Sequence, residues 1–149
     1  MVWAALLHSL CRLRKKTEMK PKILVIEDNE RNLYLTTYIL EAHGYEVVSA
    51  RNGRTGIELA FQVRPALILL DIQLPEMDGY AVARELKGNP ALDDIPIVAV
   101  TSYAMVGDRE RILAAGCTGY IEKPIDPESF MAQIEQYLPA HFPHGGGKT

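Results

Sequence analysis

At 149 residues, 48% hydrophobic and 23% charged, the chain has the size and composition of one globular domain. Its net charge of −3 is uneven: residues 1–20 carry +4 and the remainder −7, an acidic body that argues against nucleic acid as the main partner. The two cysteines, Cys11 and Cys117, form no C-x-x-C motif, which excludes a disulfide framework and fits a reducing, cytoplasmic setting.

The chain opens with apolar MVWAALLHSL followed by basic RLRKK, the reverse of a secretory signal. The run is too short to span a membrane. Wound as a helix it would place Trp3, Leu6, Leu10 and Leu13 on one face, as a membrane-surface helix does. The plainer reading is favoured, because Met19 leads directly into KPKILVIEDN. Residues 1–20 are then an extension outside the fold and no membrane partner is expected. Residues 21–139 form one domain, and 140–149 are a solvated tail. The GKT near the end is no phosphate loop, because Phe142 stands where that motif requires glycine.

Between these ends, strand and helix patterns alternate five times. Strand 1 is expected over 22–27. Helix 1 follows over 30–42, with Leu33, Thr37 and Leu40 on its inner face and Gly44 closing it. Strand 2 covers 45–50, and helix 2 covers 53–63 with Ile57, Ala60 and Phe61 inward. Strand 3 is ALILLD at 66–71. IQLPEMDG is a loop, marked by Pro75 and Asp78-Gly79. Helix 3 covers 79–87 and strand 4 covers 95–100. Helix 4 covers 105–115, strand 5 covers 119–122 and helix 5 covers 127–138. Such alternation predicts an α/β fold, a doubly wound five-stranded parallel sheet with five helices. Right-handed crossovers favour the flavodoxin-like strand order 2-1-3-4-5. The ligand crevice of that order lies at the carboxyl ends of strands 1 and 3.

Asp28, Asp71, Thr101 and Lys123 each follow or close one of the apolar strand runs, KILVIED, ALILLD, IPIVAVT and GYIEKP. Taken singly each has a plainer role, as helix cap, turn carboxylate, strand end or solvated lysine. Those roles do not explain why all four fall at the same ends of core strands. With Glu27, three carboxylates would converge, each close pair repelling by roughly 4 kcal/mol at an effective dielectric near 20. A hard cation relieves that repulsion, and few oxygen ligands suit Mg²⁺. Lys123 and the Thr101 hydroxyl can then address a phosphoryl group, with the Asp71 carboxylate as nucleophile.

These residues carry a resemblance. ILVIEDN, LILLDIQLPEMDGY, IPIVAVTSYAM and GCTGYIEKP together resemble the receiver domain of two-component response regulators, over about 22–138. The chain looks closest to stand-alone receivers, and AVTSYAMVGDRERI is also similar to receivers fused to hybrid histidine kinases. The resemblance implies that Asp71 is the phosphoacceptor. It implies Mg²⁺ held by Asp28 and Asp71 directly, by Glu27 mostly through water and by the Gln73 carbonyl. Thr101 and Tyr120 resemble the family's switch pair, in which the threonine moves toward the phosphoryl group and the tyrosine turns inward, and Lys123 resembles its active-site lysine, before a commonly cis bond to Pro124. Gln73 and Tyr103 fall where the family tunes phosphate lifetime.

No effector domain is expected after helix 5, so output is expected through protein binding. The expected face comprises helix 4, strand 5 and helix 5, with Tyr103, Met105, Arg109, Ile112, Tyr120 and Ile125, and it is also the face for a possible homodimer. A histidine kinase or histidine phosphotransfer protein is expected as donor, docking near helix 1, and a downstream protein as target. The alternative is a phosphorelay intermediate or phosphate sink without a dedicated output partner. A dehalogenase-type phosphatase needs an acid two residues after its nucleophile, where this chain has Gln73. A flavodoxin needs a phosphate cradle where Glu27-Asp28 would repel one. Apart from turning over its own acyl phosphate, the chain is therefore not read as an enzyme.

Overall fold

The computed structural model describes residues 20–102 and 105–138. The expected N-terminal extension (all but Lys20), the tail and Tyr103 lie outside the described residues. Five strands form one parallel sheet: β1 (Lys22–Ile26), β2 (Glu46–Ala50), β3 (Leu67–Asp71), β4 (Ile97–Thr101) and β5 (Gly119–Glu122). Their spatial order is β2-β1-β3-β4-β5, every neighbouring pair parallel. Five helices connect or follow them: α1 (Glu30–Ala42), α2 (Gly53–Val63), α3 (Gly79–Lys87), α4 (Val106–Ala114) and α5 (Phe130–Glu135). A short 3₁₀ turn, Pro90–Leu92, precedes β4.

The boundaries have local causes. Asn29, Asn52 and Asp78 each stand one residue before a helix, and each side chain accepts a backbone N–H from its first turn, at 3.0, 2.8 and 2.9 Å. Such caps satisfy amides that have no partner inside the helix. Gly44, with φ +90°, lets the chain leave α1 through the left-handed region. The Lys123–Pro124 peptide bond is cis.

Two apolar layers sandwich the sheet. Alternate strand residues Leu24, Ile26, Ile68, Leu70, Ile97 and Ala99 pack with α2, α3 and α4. The opposite set, Ile23, Val25, Leu67, Leu69, Val98 and Val100, packs with α1 and α5. Both faces are covered, which is why β3 and β4 read as continuous apolar runs.

The helices differ from expectation in four places. On α1 the buried positions are Thr36, Ile39 and Leu40, with Leu33 only partly buried. On α2 the buried stripe is Gly53, Gly56, Ile57 and Ala60, spaced i, i+3, i+4, i+7. Phe61 falls one residue outside that stripe and is 43% exposed. Ile112, expected on the output surface, is fully buried in the layer that joins α4 to the sheet. Helix α5 is shorter than expected, because Asp126 accepts from Glu128 N at 3.2 Å and Ser129 Oγ at 2.9 Å and makes 127–129 a turn.

Candidate functional site

The strand register accounts for the convergence of the site residues. Ile26 pairs with Leu70, so Glu27 stands level with Asp71, the last residue of β3. Asp71 pairs with Val100, which sets Thr101 one step further along β4. Thr101 pairs with Glu122, and Lys123 N donates to Thr101 O at 2.8 Å. Four adjacent strands therefore deliver their end residues to one edge of the sheet.

Within that edge the Lys123 ammonium lies 3.2 Å from Glu27 Oε1 and 3.2 Å from Asp71 Oδ1. Gln73 N–H donates to the same Asp71 Oδ1 at 3.0 Å, and Asn29 N–H donates to Glu27 Oε2 at 3.2 Å. Glu27 and Asp71 are buried, whereas Asp28 is exposed. One oxygen from each of Glu27, Asp28 and Asp71 falls within 4.8 Å of the others. These acids, with Asn29, Gln73 and Lys123, line an open polar cleft of about 630 Å³.

The cluster carries three carboxylates and one ammonium. Its strain shows at Glu27, whose pKa rises from 4.5 to about 7. Burial is the largest cause, followed by the hydrogen bond and the negative charge of Asp71, while Lys123 and the Asn29 N–H pull it back. Three carboxylates against one ammonium leave the site short of positive charge. The oxygen-only donors and that shortage fit a hard divalent cation such as Mg²⁺.

Thr101 is buried at the end of β4, and it is the next residue, Ser102, that lines the cleft. Tyr120 is half-buried against the apolar layer of α2, α3 and α4, and the Arg109 guanidinium lies 5.3 Å from its ring centroid. Met105 and Arg109 are exposed, and Ile125 is partly buried against the layer of α1 and α5. The sequence did not single out Ser102 or the Asn29 amide. Neither has a signal of its own, since a serine after a strand and an asparagine before a helix are ordinary there.

The chain belongs to the response regulator receiver domain family of two-component signalling, whose pattern matches residues 23–135. It is 47% identical over 120 residues to the polar-differentiation response regulator DivK of Brucella anthropi, covering 80% of this chain and 98% of that one. Among solved structures it is similar to the Vibrio cholerae chemotaxis protein CheY4, with TM-score 0.77 and 25% identity over 80% of this chain and all of that one. It is also similar to the receiver domain of the Pseudomonas aeruginosa sensor histidine kinase PA1611, described with a magnesium ion coordinated in its active site cleft. The TM-score there is 0.74 and the identity 32%, over 80% of this chain and 98% of that one. Among the described residues no helix is long and apolar enough to cross a membrane.

Proposed function

We propose that the chain is a single-domain response regulator of the cytoplasm that accepts a phosphoryl group on Asp71 and signals by binding another protein. The observation that carries this reading is the meeting of Lys123 with Asp71 and Glu27, beside Asp28, at the carboxyl edge of the sheet. A carboxylate oxygen of Asp71 attacks phosphorus, the P–N bond to the donor's histidine breaks, and the imidazole leaves with the bonding electrons. Lys123 neutralises charge on the transferred oxygens, and Thr101 moves toward the phosphoryl group so that its hydroxyl donates to another oxygen. A magnesium ion held by Glu27, Asp28, Asp71 and the Gln73 carbonyl would offset charge on the incoming group. Water later attacks the acyl phosphate, restoring the carboxylate and releasing inorganic phosphate, with Gln73 and Tyr103 in the positions that tune the rate.

The donor, a histidine kinase or phosphotransfer protein, docks against α1. That helix, whose first turn lines the acidic cleft, presents Tyr34 and Tyr38 one turn apart, 74% and 64% exposed. The response leaves through α4, β5 and α5, where Met105 and Val106 are more than 70% exposed. Thr101 and Tyr120 bias that surface between two states. The same face serves a homodimer. The likeness to a histidine-kinase receiver supports a second reading, a relay intermediate that passes phosphate on.

Incubation with acetyl phosphate or a phosphohistidine donor and Mg²⁺ tests the assignment. The wild type acquires an acid-stable, base-labile label and Asp71→Asn acquires none. Full labelling of Asp71→Asn would remove Asp71 from the role.

A further inference from the structure

Arg109 ties α4 to the edge strand of the sheet, where it meets Tyr120 and Glu122. Its guanidinium carbon lies 5.3 Å from the centroid of the Tyr120 ring, and its Nη2 lies 3.9 Å from Glu122 Oε1. Tyr120 and Glu122 are two residues apart on β5, so their side chains leave the same face of the strand. One side chain therefore spans both. The Tyr120 ring also packs against the apolar layer containing Ile112 and Cys117, which sets it between hydrocarbon and a cation.

This tie matters more here than on α1, α2 or α3. Side chains of Asn29, Asn52 and Asp78 anchor the starts of α1, α2 and α3, whereas Met105 gives α4 no side-chain cap. The ion pair with Glu122 is long and open to solvent on both partners, so it contributes little. The stack on Tyr120 is the contact that an inward turn of the ring would give up.

We propose that Arg109 is a positioning residue that holds Tyr120 in its resting place and so opposes the loaded state of the domain. The proposal rests on the reading of Thr101 and Tyr120 as a switch pair. A cation over an aromatic face at an exposed site shifts a two-state equilibrium by about two- to fivefold. Lysine in its place keeps the charge but not the planar face that stacks on a ring.

The test uses the full chain, with beryllofluoride and Mg²⁺ as the probe of the loaded state. ¹³C-labelled tyrosine rings report on residue 120, assigned with Tyr120→Phe. Arg109→Ala is expected to reach half-saturation at two- to fivefold lower beryllofluoride than the wild type. Its unloaded Tyr120 resonance moves toward the loaded position, and Arg109→Lys falls between. A residue that merely braced the fold would weaken beryllofluoride binding when removed. If the wild-type Tyr120 resonance responds to the probe but Arg109→Ala titrates like the wild type or more weakly, the role of Arg109 is overturned. If the wild-type resonance does not respond at all, the switch reading fails first and the proposal falls with it.

Discussion

The Lys123 ammonium sits equidistant, at 3.2 Å, from Asp71 Oδ1 and Glu27 Oε1, so one cation holds two buried acids that come from different strands. Its side chain is 13% exposed, which shields the pair from solvent screening. Removing it leaves Asp71 without that charge beside the phosphoryl oxygens. Lys123→Ala is therefore expected to slow labelling by acetyl phosphate on the order of 10²-fold. A time course of acyl phosphate formation measures this, and a rate within twofold of wild type would contradict it.

Asp28 contributes to the acid cluster from an exposed position, so its repulsion of the buried pair is screened. Its removal should leave the metal-free fold as stable as before, or slightly more so. Mg²⁺ at about 100 times its dissociation constant stabilises a one-site protein by about 2.7 kcal/mol, enough to raise Tm by several degrees. Wild type should show that rise, and Asp28→Ala should lose most of it. Thermal melts in EDTA and in excess Mg²⁺ decide, and an equal rise in both proteins would place the ion elsewhere.

Much of this site can be read in the chain because buried parallel strands have a plain signature. An apolar run that stops at a polar residue marks a strand end, and Asp71, Thr101 and Lys123 all follow such runs. Helix starts were equally legible where Asn29, Asn52 and Asp78 supply caps. The side chains' final partners were less so. The Glu27–Lys123 contact joins β1 to β5 across the sheet edge, and only the assembled register produces it. Phe61 and Ile112 were misplaced for a related reason, since a one-residue error in a helix stripe turns a side chain by about 100°.

The raised pKa of Glu27 links this cluster to stability when no metal is bound. In the unfolded chain the group titrates near 4.5, and in the fold near 7. Between those values the native state holds a proton that the unfolded chain has released. Stability therefore falls as pH rises through this window, and the loss is complete above about 7. In EDTA, Tm should drop by roughly 5 °C from pH 5 to pH 7.5. Glu27→Gln should flatten that slope. A Tm that climbs over the same interval in wild type, with Glu27→Gln parallel to it, would rule out Glu27 as the cause.

Gly79 connects the helix behind the loop to the phosphoacceptor strand. A β-carbon built there would lie 2.6 Å from Asp71 O and 2.6 Å from Ile72 Cα, both backbone atoms. Gly79 N–H also donates to Ile72 O at 2.9 Å, so α3 begins against the segment that carries Asp71. Backbone cannot rotate aside as a side chain can, and alanine must push either α3 or the end of β3. Overpacking of this kind costs about 1–3 kcal/mol. Gly79→Ala is expected to lower Tm by several degrees. It should also slow acetyl phosphate labelling, because the displaced strand end moves Asp71 away from Lys123. Gly107, where a β-carbon would meet nothing within 4 Å, serves as the control. It lies in the first turn of α4, away from that contact. Gly107→Ala should leave Tm unchanged or raise it slightly. Equal melting temperatures and equal labelling rates for the two variants would show that the close approach at Gly79 does not hold the phosphoacceptor in place.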